Sequence, residues 1–371
     1  MKILCLSRAP LDYKGGIPAY CLNLYSDKKF NINNFSFDLT KRLRKVEKRS
    51  FNNIKENVYP SQIVIGTMAF SIDYFFSILK NASKFDLIHI QHPDPFSSIC
   101  SILAKIANPK LKLLITWHAD IYSSYKLISP ILFFLDLTLY ALSSKIIFFT
   151  PKHLKSSIIN NIPFLKKKVR LIPFCFNFKN TAKNLGIKGS ISQKETINIL
   201  SIGMLVTYKG YEYAIDAISK TDSRVKYKIV GTGPLKKKLE DLINFHNLKD
   251  RVFLMGEVDE IIKKDLLSEA DIFLFPSISK SEAYGLVQLE AMANSLPIIN
   301  TFLDNGVNYL APNKVAVTCK IKNSLAIYDS INKLVNDSNF YCLKSKESFT
   351  NLSRFNYKEM ISSFSKLLKE I

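Results

Sequence analysis

From residue 2 onward the chain alternates short apolar runs with longer stretches in which apolar positions recur every three or four residues. Buried parallel strands joined by amphipathic helices produce this pattern. In the first half, runs at 2–6, 35–39, 62–66, 86–90, 112–116, 145–149 and 169–172 predict strands apolar enough to be buried on both faces. Stretches at about 17–26, 70–80, 97–107, 127–142 and 152–160 predict the helices between them. Residues 178–195 are rich in Asn, Lys, Ser and Gly and lack periodicity, which predicts a linker. The alternation then restarts, with strands predicted at 197–202, 227–230, 252–255, 272–275, 298–300 and 315–318 and a last helix over 357–371. The expected fold class is α/β, with parallel sheets in two domains at 1–178 and 196–350, a linker at 179–195 and a terminal segment at 351–371.

A length of 371 residues suits two domains of roughly 170 residues each, and two domains imply a cleft. With 47% hydrophobic and 22% charged residues, the composition excludes a disordered chain. The net charge of +21, from 52 Lys and Arg against 31 Asp and Glu, fits nucleic acid, anionic lipid or an anionic substrate. Aromatic-plus-glycine RNA-binding patterns, zinc-finger spacings and a heptad-linked basic region are all absent, so no nucleic-acid partner is expected. Lys41, Arg42, Arg44, Lys45, Lys48 and Arg49 read either as a solvated basic face or as a patch resting on anionic lipid. The six cysteines are scattered and read as reduced core residues of a cytosolic protein. The apolar start is too short for a signal sequence. The stretch 127–142, interrupted by Pro130 and Asp136, falls short of the ~20 residues of a membrane span. A cytoplasmic location is expected, with peripheral attachment to the inner face of the membrane left open.

The densest chemistry lies at Phe275-Pro276-Ser277 and Ser281-Glu282-Ala283-Tyr284-Gly285-Leu286-Val287-Gln288-Leu289-Glu290. If a helix starts near Gly285, Glu282 lies in the loop feeding it and Glu290 more than one turn inside, so the two carboxylates face different parts of a ligand. Gly285 would let a ligand approach the backbone, and the free N–H groups of Leu286 and Val287 would hold a phosphate. Alternatively, Glu282 complements the helix dipole and Glu290 is solvated. The segment resembles the E-x7-E signature of the large family-4 group of retaining glycosyltransferases. That resemblance implies a GT-B fold, in which two Rossmann-like domains face a central cleft, and it places Glu282 beside the transferred sugar and Glu290 on the nucleotide ribose.

Further matches follow in the family's order. Gly203-Met204-Leu205 with Lys209-Gly210 resembles its G-R-L…K-G loop, with Met204 where the family has Arg, so that Lys209 carries the diphosphate charge. Val230-Gly231-Thr232-Gly233-Pro234-Leu235 is similar to its V-G-x-G-P-L element. It is neither a P-loop nor a dinucleotide fingerprint, lacking the Gly-Lys-Ser/Thr ending and a third glycine. Phe253 to Val258 resembles the segment bordering the base, with Val258 as base neighbour. Gly15 and Gly16, between the first strand and helix, resemble a Gly-Gly loop near the diphosphate. Thr116-Trp117-His118-Ala119-Asp120 resembles the W-H-S-D element of enzymes extending lipid-linked polysaccharides, which implies a donor-sugar or oxyanion contact for His118 and an orienting role for Asp120. His89 and His92 resemble an H-x-H-x-P segment lining the cleft on the acceptor side. Cys175, Asn177 and Ser295 stand where the family has Gly, Asp and Gly.

The resemblance implies transfer of a hexose from a UDP- or GDP-linked donor to a saccharide or lipid-linked saccharide in bacterial surface-polysaccharide (lipopolysaccharide) assembly. The first domain would bind the acceptor, the second the nucleotide sugar, and the C-terminal helix would return to the first domain. No resident cofactor is expected, and no metal, because no Asp-x-Asp follows a strand and His89 and His92 have no third ligand at sensible spacing. A retaining hydrolase, a sugar phosphorylase and a non-catalytic nucleotide-sugar or membrane-binding protein remain as alternatives.

Overall fold

A computed structural model describes every residue except 14, 28, 66–67, 120–125, 156 and 178–185, and leaves out the side chain of Lys126. The chain folds as two units, Met1–Phe174 with Tyr357–Ile371, and Cys175–Asn356.

The first unit contains β1 (Lys2–Leu6), β2 (Asn31–Asp38), β3 (Glu47–Phe51), β4 (Ile54–Pro60), β5 (Ile63–Ile65), β6 (Met68–Phe70), β7 (Leu87–His92), β8 (Lys112–Trp117), β9 (Lys145–Phe148) and β10 (Val169–Leu171). Eight of these form one sheet in the order β10-β9-β8-β7-β1-β2-β4-β3. It is parallel except where β3 runs antiparallel to β4 at the edge. The runs at 2–6, 86–90 and 112–116 become its central strands, walled by Leu4, Ile88, Ile90, Leu113 and Ile115.

Four expectations change here. β2 starts at Asn31, ahead of the predicted 35, and β4 is a strand that the apolar pattern does not announce. Both carry polar residues into the interior: Glu56 Oε1 accepts from Leu11 N at 3.0 Å, Asn34 Nδ2 at 2.8 Å and Ser36 Oγ at 2.8 Å. The predicted strand at 62–66 instead pairs with β6 in a separate two-stranded ribbon, and 152–160 splits into a short helix Pro151–Lys155 and a 3-10 turn Ile158–Asn161. The basic stretch ends in the edge strand, where Arg49 pairs with Asp12 and Glu47, both at 2.7 Å. Charged side chains on an edge discourage pairing with other chains.

The second unit contains β11 (Ile197–Ile202), β12 (Val225–Val230), β13 (Val252–Gly256), β14 (Ile272–Phe275), β15 (Ile298–Thr301) and β16 (Val317–Cys319). They form one parallel sheet in the order β13-β12-β11-β14-β15-β16. In such an order the chain winds outward in both directions from a switch between the first and fourth strands, where a crevice opens at the carboxyl ends. Residues 186–195, expected as linker, pack on this unit: Ile191 is in its core and Lys188 Nζ donates to Ser268 O at 3.0 Å. Residues 178–185 lie outside the described residues. The helix Tyr357–Glu370 belongs to the first unit, where Phe364 packs 5.8 Å from His89 and 5.9 Å from Tyr25. All six cysteines are free; Cys5 and Cys21, distant in sequence, bring their sulfurs to 4.0 Å.

Candidate functional site

At the switch point of the second unit, the loop after β11 and the loop after β14 meet, held by Ile278 N donating to Tyr208 O at 2.8 Å. Lys209 Nζ lies 2.5 Å from Glu282 Oε2, both side chains being 12% exposed. Ser277 Oγ donates to the same oxygen at 3.2 Å. The ammonium also stands 5.1 Å from the centre of the Phe275 ring, close enough for attraction to its face. Asn305, which caps the helix Gly306–Leu310, donates to Glu282 O at 2.6 Å and so fixes the backbone of the carboxylate. Gly203 faces the lysine. A Cβ there would fall 3.1 Å from both Cε and Nζ of Lys209, so the glycine makes room for the ammonium. Met204, in place of a second cation, is half-exposed, and Lys209 is the one cation paired with Glu282 among the described residues.

The second carboxylate sits differently from either expectation. Gly285 has φ +75°, and a Cβ on it would approach Gln288 Nε2 to 2.9 Å and the Phe275 ring to 3.0 Å. Protein packing therefore already requires glycine there. This left-handed residue delays the helix to Val287–Ala293, so Glu290 lies in its first turn. The first bonds of the turn run from Gln288 N to Gly285 O and from Leu289 N to Leu286 O, both 2.9 Å, leaving the amides of Leu286 and Val287 ahead of them. Glu290 is not solvated. Its Oε1 lies 3.3 Å from Lys263 Nζ, which also holds Glu260 at 2.9 Å, while its buried Oε2 has no partner among the described residues. Burial raises the Glu290 pKa and Lys263 opposes the rise. Beside it opens a small recess lined by Phe176, Lys263, Leu267, Ala293 and Asn294. An acceptor stripped of water and left unpaired is costly, so Oε2 is a ready seat for a hydroxyl donor. Val258 immediately precedes Asp259, the cap of the helix carrying Lys263. Ser277 lies inside the motif quoted from the sequence but had no role assigned there, and Lys263 and Phe176 were not singled out at all. For Lys263 the available signal was its helical spacing from Glu260, which reads as an ordinary surface pair.

In the first unit, Gly15 precedes the helix Gly16–Leu24 with extended backbone, and a Cβ on it would meet nothing closer than 3.7 Å. Unlike Gly203 and Gly285, it is not required by its protein neighbours. His118 is partly exposed at the end of β8, where Nε2 meets Gln91 Oε1 at 2.9 Å. An amide oxygen only accepts, so that nitrogen carries the proton. Burial and the surrounding histidines depress the His118 pKa, which leaves a neutral ring whose Nδ1 is an acceptor. It can receive a sugar hydroxyl, but its only N–H is spent on Gln91, which argues against the oxyanion role. His89 and His92 are not cleft-lining. His89 is fully buried between Tyr25 OH and Thr116 Oγ1, the latter at 2.7 Å, and burial lowers its pKa to about 3. His92 is buried against Asp136 at 3.0 Å and Tyr140 OH at 3.2 Å. Both hold the sheet to its helices. Asp120 lies outside the described residues.

The departures from the family pattern have local explanations. Ser295 adopts φ +55°, the conformation a glycine would supply. The Cys175 thiol, pushed up to about 12 by burial, donates to Phe355 O at 2.9 Å. No explanation emerges for Asn177. Among the described residues, no group of three His, Cys, Asp or Glu side chains could hold a metal ion.

Two α/β units built on predominantly parallel sheets have the GT-B architecture, shared along the full chain with solved glycosyltransferases. HepE of Anabaena, crystallised with UDP and glucose, superposes with TM-score 0.79 at 18% identity, covering 100% of both chains. The lipopolysaccharide outer core galactosyltransferase WaaB, in its apo form, gives 0.68 at 15% identity, again over 100% of both. Residues 186–354 match the family of glycosyl transferases group 1, and the second unit is a group 1 glycosyltransferase domain. The chain is 25% identical over 249 residues to D-rhamnosyltransferase WbpZ of Pseudomonas aeruginosa, a match spanning 66% of this chain and 63% of that protein. It is also 25% identical over 319 residues to O-antigen chain mannosyltransferase C of Escherichia coli, spanning 83% and 81%.

Proposed function

We propose that this protein transfers a hexose, with retention of anomeric configuration, from a UDP- or GDP-linked donor to a lipid-linked saccharide during O-antigen-type surface-polysaccharide assembly at the inner face of the membrane. The observation that carries the reading is the Lys209–Glu282 pair at the switch point, 2.5 Å apart and mostly shielded from water. Relatives named for O-antigen mannosyl transfer and rhamnosyl transfer support the substrate class.

Breaking the bond to a nucleoside diphosphate builds negative charge on the leaving oxygen while the anomeric carbon becomes oxocarbenium-like. The diphosphate draws Lys209 from Glu282, assisted by the amides of Leu286 and Val287 and by Gly15 and Gly16, where backbone can approach a phosphate. Glu282, relieved of its counter-ion, positions the donor sugar for same-face attack, and His118 accepts one of its hydroxyls. Glu290 receives the ribose hydroxyls at its open Oε2. The reading assigns the leaving-group charge to these groups and to no divalent ion, so chelation by EDTA should leave turnover unchanged. The first test is a thermal-shift panel of UDP-, GDP- and ADP-sugars, followed by NMR of the product anomer. An inverted product overturns the retaining mechanism, and free sugar as the main product favours hydrolysis.

A further inference from the structure

Three adjacent helices of the first unit, Ile72–Asn81, Pro95–Ala107 and Ser129–Leu142, pack side by side on one another. Their outward positions are apolar. Ile72, Phe76, Ile106, Ile131 and Phe134 are between 62 and 70% exposed, and Ile72 with Phe76, like Ile131 with Phe134, share a helix face by their spacing. The third helix carries a single charged residue, Asp136, and that one is buried against His92. A helix apolar on every side is normally covered, and a contiguous apolar face of this extent marks a contact surface.

The charges around the face indicate what covers it. Lys80 follows Phe76 by four residues and continues its stripe, Lys84 lies in the turn beyond that helix, and Lys105 and Lys110 lie at and beyond the end of the next. Lys105 Nζ donates to the carbonyls of Pro109 and Leu111, both at 2.7 Å, which places its ammonium at that end. Right-handed crossovers run parallel to one another, so these four lysines mark one edge of the apolar face. Asp73 is the one exposed acid on the three helices. A second copy of a chain carrying +21 would bring like charge against like, which disfavours self-association.

We infer that the outward face of these three helices docks on an anionic lipid bilayer, with Ile72, Phe76, Ile106, Ile131 and Phe134 entering the acyl boundary and the lysine edge resting on headgroup phosphates. Amphipathic elements bind membranes in this way, by buried apolar area plus attraction to anionic lipid. Among the described residues no helix is long and apolar enough to cross a membrane, so the contact is superficial. The inference extends the membrane location proposed above by naming the surface, and it places the contact away from the basic stretch 41–49.

The test is co-sedimentation of the full chain with phosphatidylglycerol-rich and with pure phosphatidylcholine vesicles, without donor or acceptor, so that glycosyl transfer can fail independently. Binding to the anionic vesicles is expected, weakened but not abolished by salt. The double variant Ile131→Glu/Phe134→Glu should lower partitioning at least about tenfold, with unchanged melting temperature because both side chains are exposed. Lys80→Gln and Lys84→Gln should each lower it about fivefold, whereas Lys41→Gln/Arg42→Gln should have little effect. Vesicle binding that ignores the glutamate pair overturns the proposal. So does a dimer in light scattering that the same pair dissociates, because the face would then belong to a second copy.

Discussion

Replacing Lys209 by methionine removes the ammonium while keeping most of the chain's volume. In the folded protein it would strand the Glu282 carboxylate with the Ser277 hydroxyl at 3.2 Å as its remaining partner among the described residues. Breaking an exposed ion pair costs about 0–1 kcal/mol and a buried one about 3–5 kcal/mol. With both side chains 12% exposed, a loss of about 2 kcal/mol of stability is reasonable between those limits. The catalytic loss should be larger, since withdrawing a donor from developing charge typically costs about a hundred- to a thousandfold in kcat. The double variant Lys209→Met/Glu282→Gln separates the two effects. A neutral pair of similar shape should regain most of the stability, because the stranded charge is gone, yet transfer should stay at or below the single variant's rate. Urea denaturation and steady-state transfer from the donor found by the thermal-shift panel give both quantities. If the single variant keeps kcat/KM within about twofold of the parent, or the double variant recovers transfer along with stability, the pair is a structural bridge and the leaving-group argument is wrong.

Four further outcomes follow from the same structure. Gly203→Ala places a methyl 3.0 Å from Tyr211 OH and 3.1 Å from Cε and Nζ of Lys209, at a φ of +156° that side chains rarely adopt, so it should displace the Lys209 head and lower kcat/KM by roughly tenfold while circular dichroism shows an intact fold. Because burial raises the Glu290 pKa, the folded state holds that proton longer than the unfolded one. Stability should therefore fall as pH rises from the ordinary Glu range, near ~4.3, through the raised value, while donor affinity improves over the same window as the carboxylate ionises. Lys263→Met should move that affinity profile to higher pH and raise donor KM more than it lowers kcat, readable in KM against pH; a profile unmoved by the change would make Lys263 merely structural. His89, depressed to about 3, His153, depressed to about 4, and His118, also depressed, are neutral when folded and take up protons on unfolding. Stability should then be fully present above ~6.5 and be lost as pH falls through the folded values, at up to about 4 kcal/mol per pH unit for three protons. An acid-unfolding curve flat between pH ~6.5 and ~4 would contradict the buried assignments.

The alternation of apolar runs and amphipathic stretches was enough to determine two α/β units and the central strands of each, because a strand buried on both faces must be apolar throughout. Lys209, Glu282 and Glu290 were singled out by the resemblance of their segments to family motifs, which is legible because they sit in loops and turns whose local chemistry is written in consecutive residues. What escaped the sequence depends on partners distant along the chain. β4 was illegible because Glu56 is buried through bonds from Leu11, Asn34 and Ser36, and a buried polar group looks like an exposed one until its donors are placed. For the same reason His89 and His92, which read as ligand-facing, became struts between Tyr25, Thr116 and Asp136. Lys263 acquired its meaning only when its helix brought it 3.3 Å from Glu290. Periodicity reports which side of an element avoids water; which charge meets which is decided by the order of strands in the sheet, and that order is set by tertiary packing.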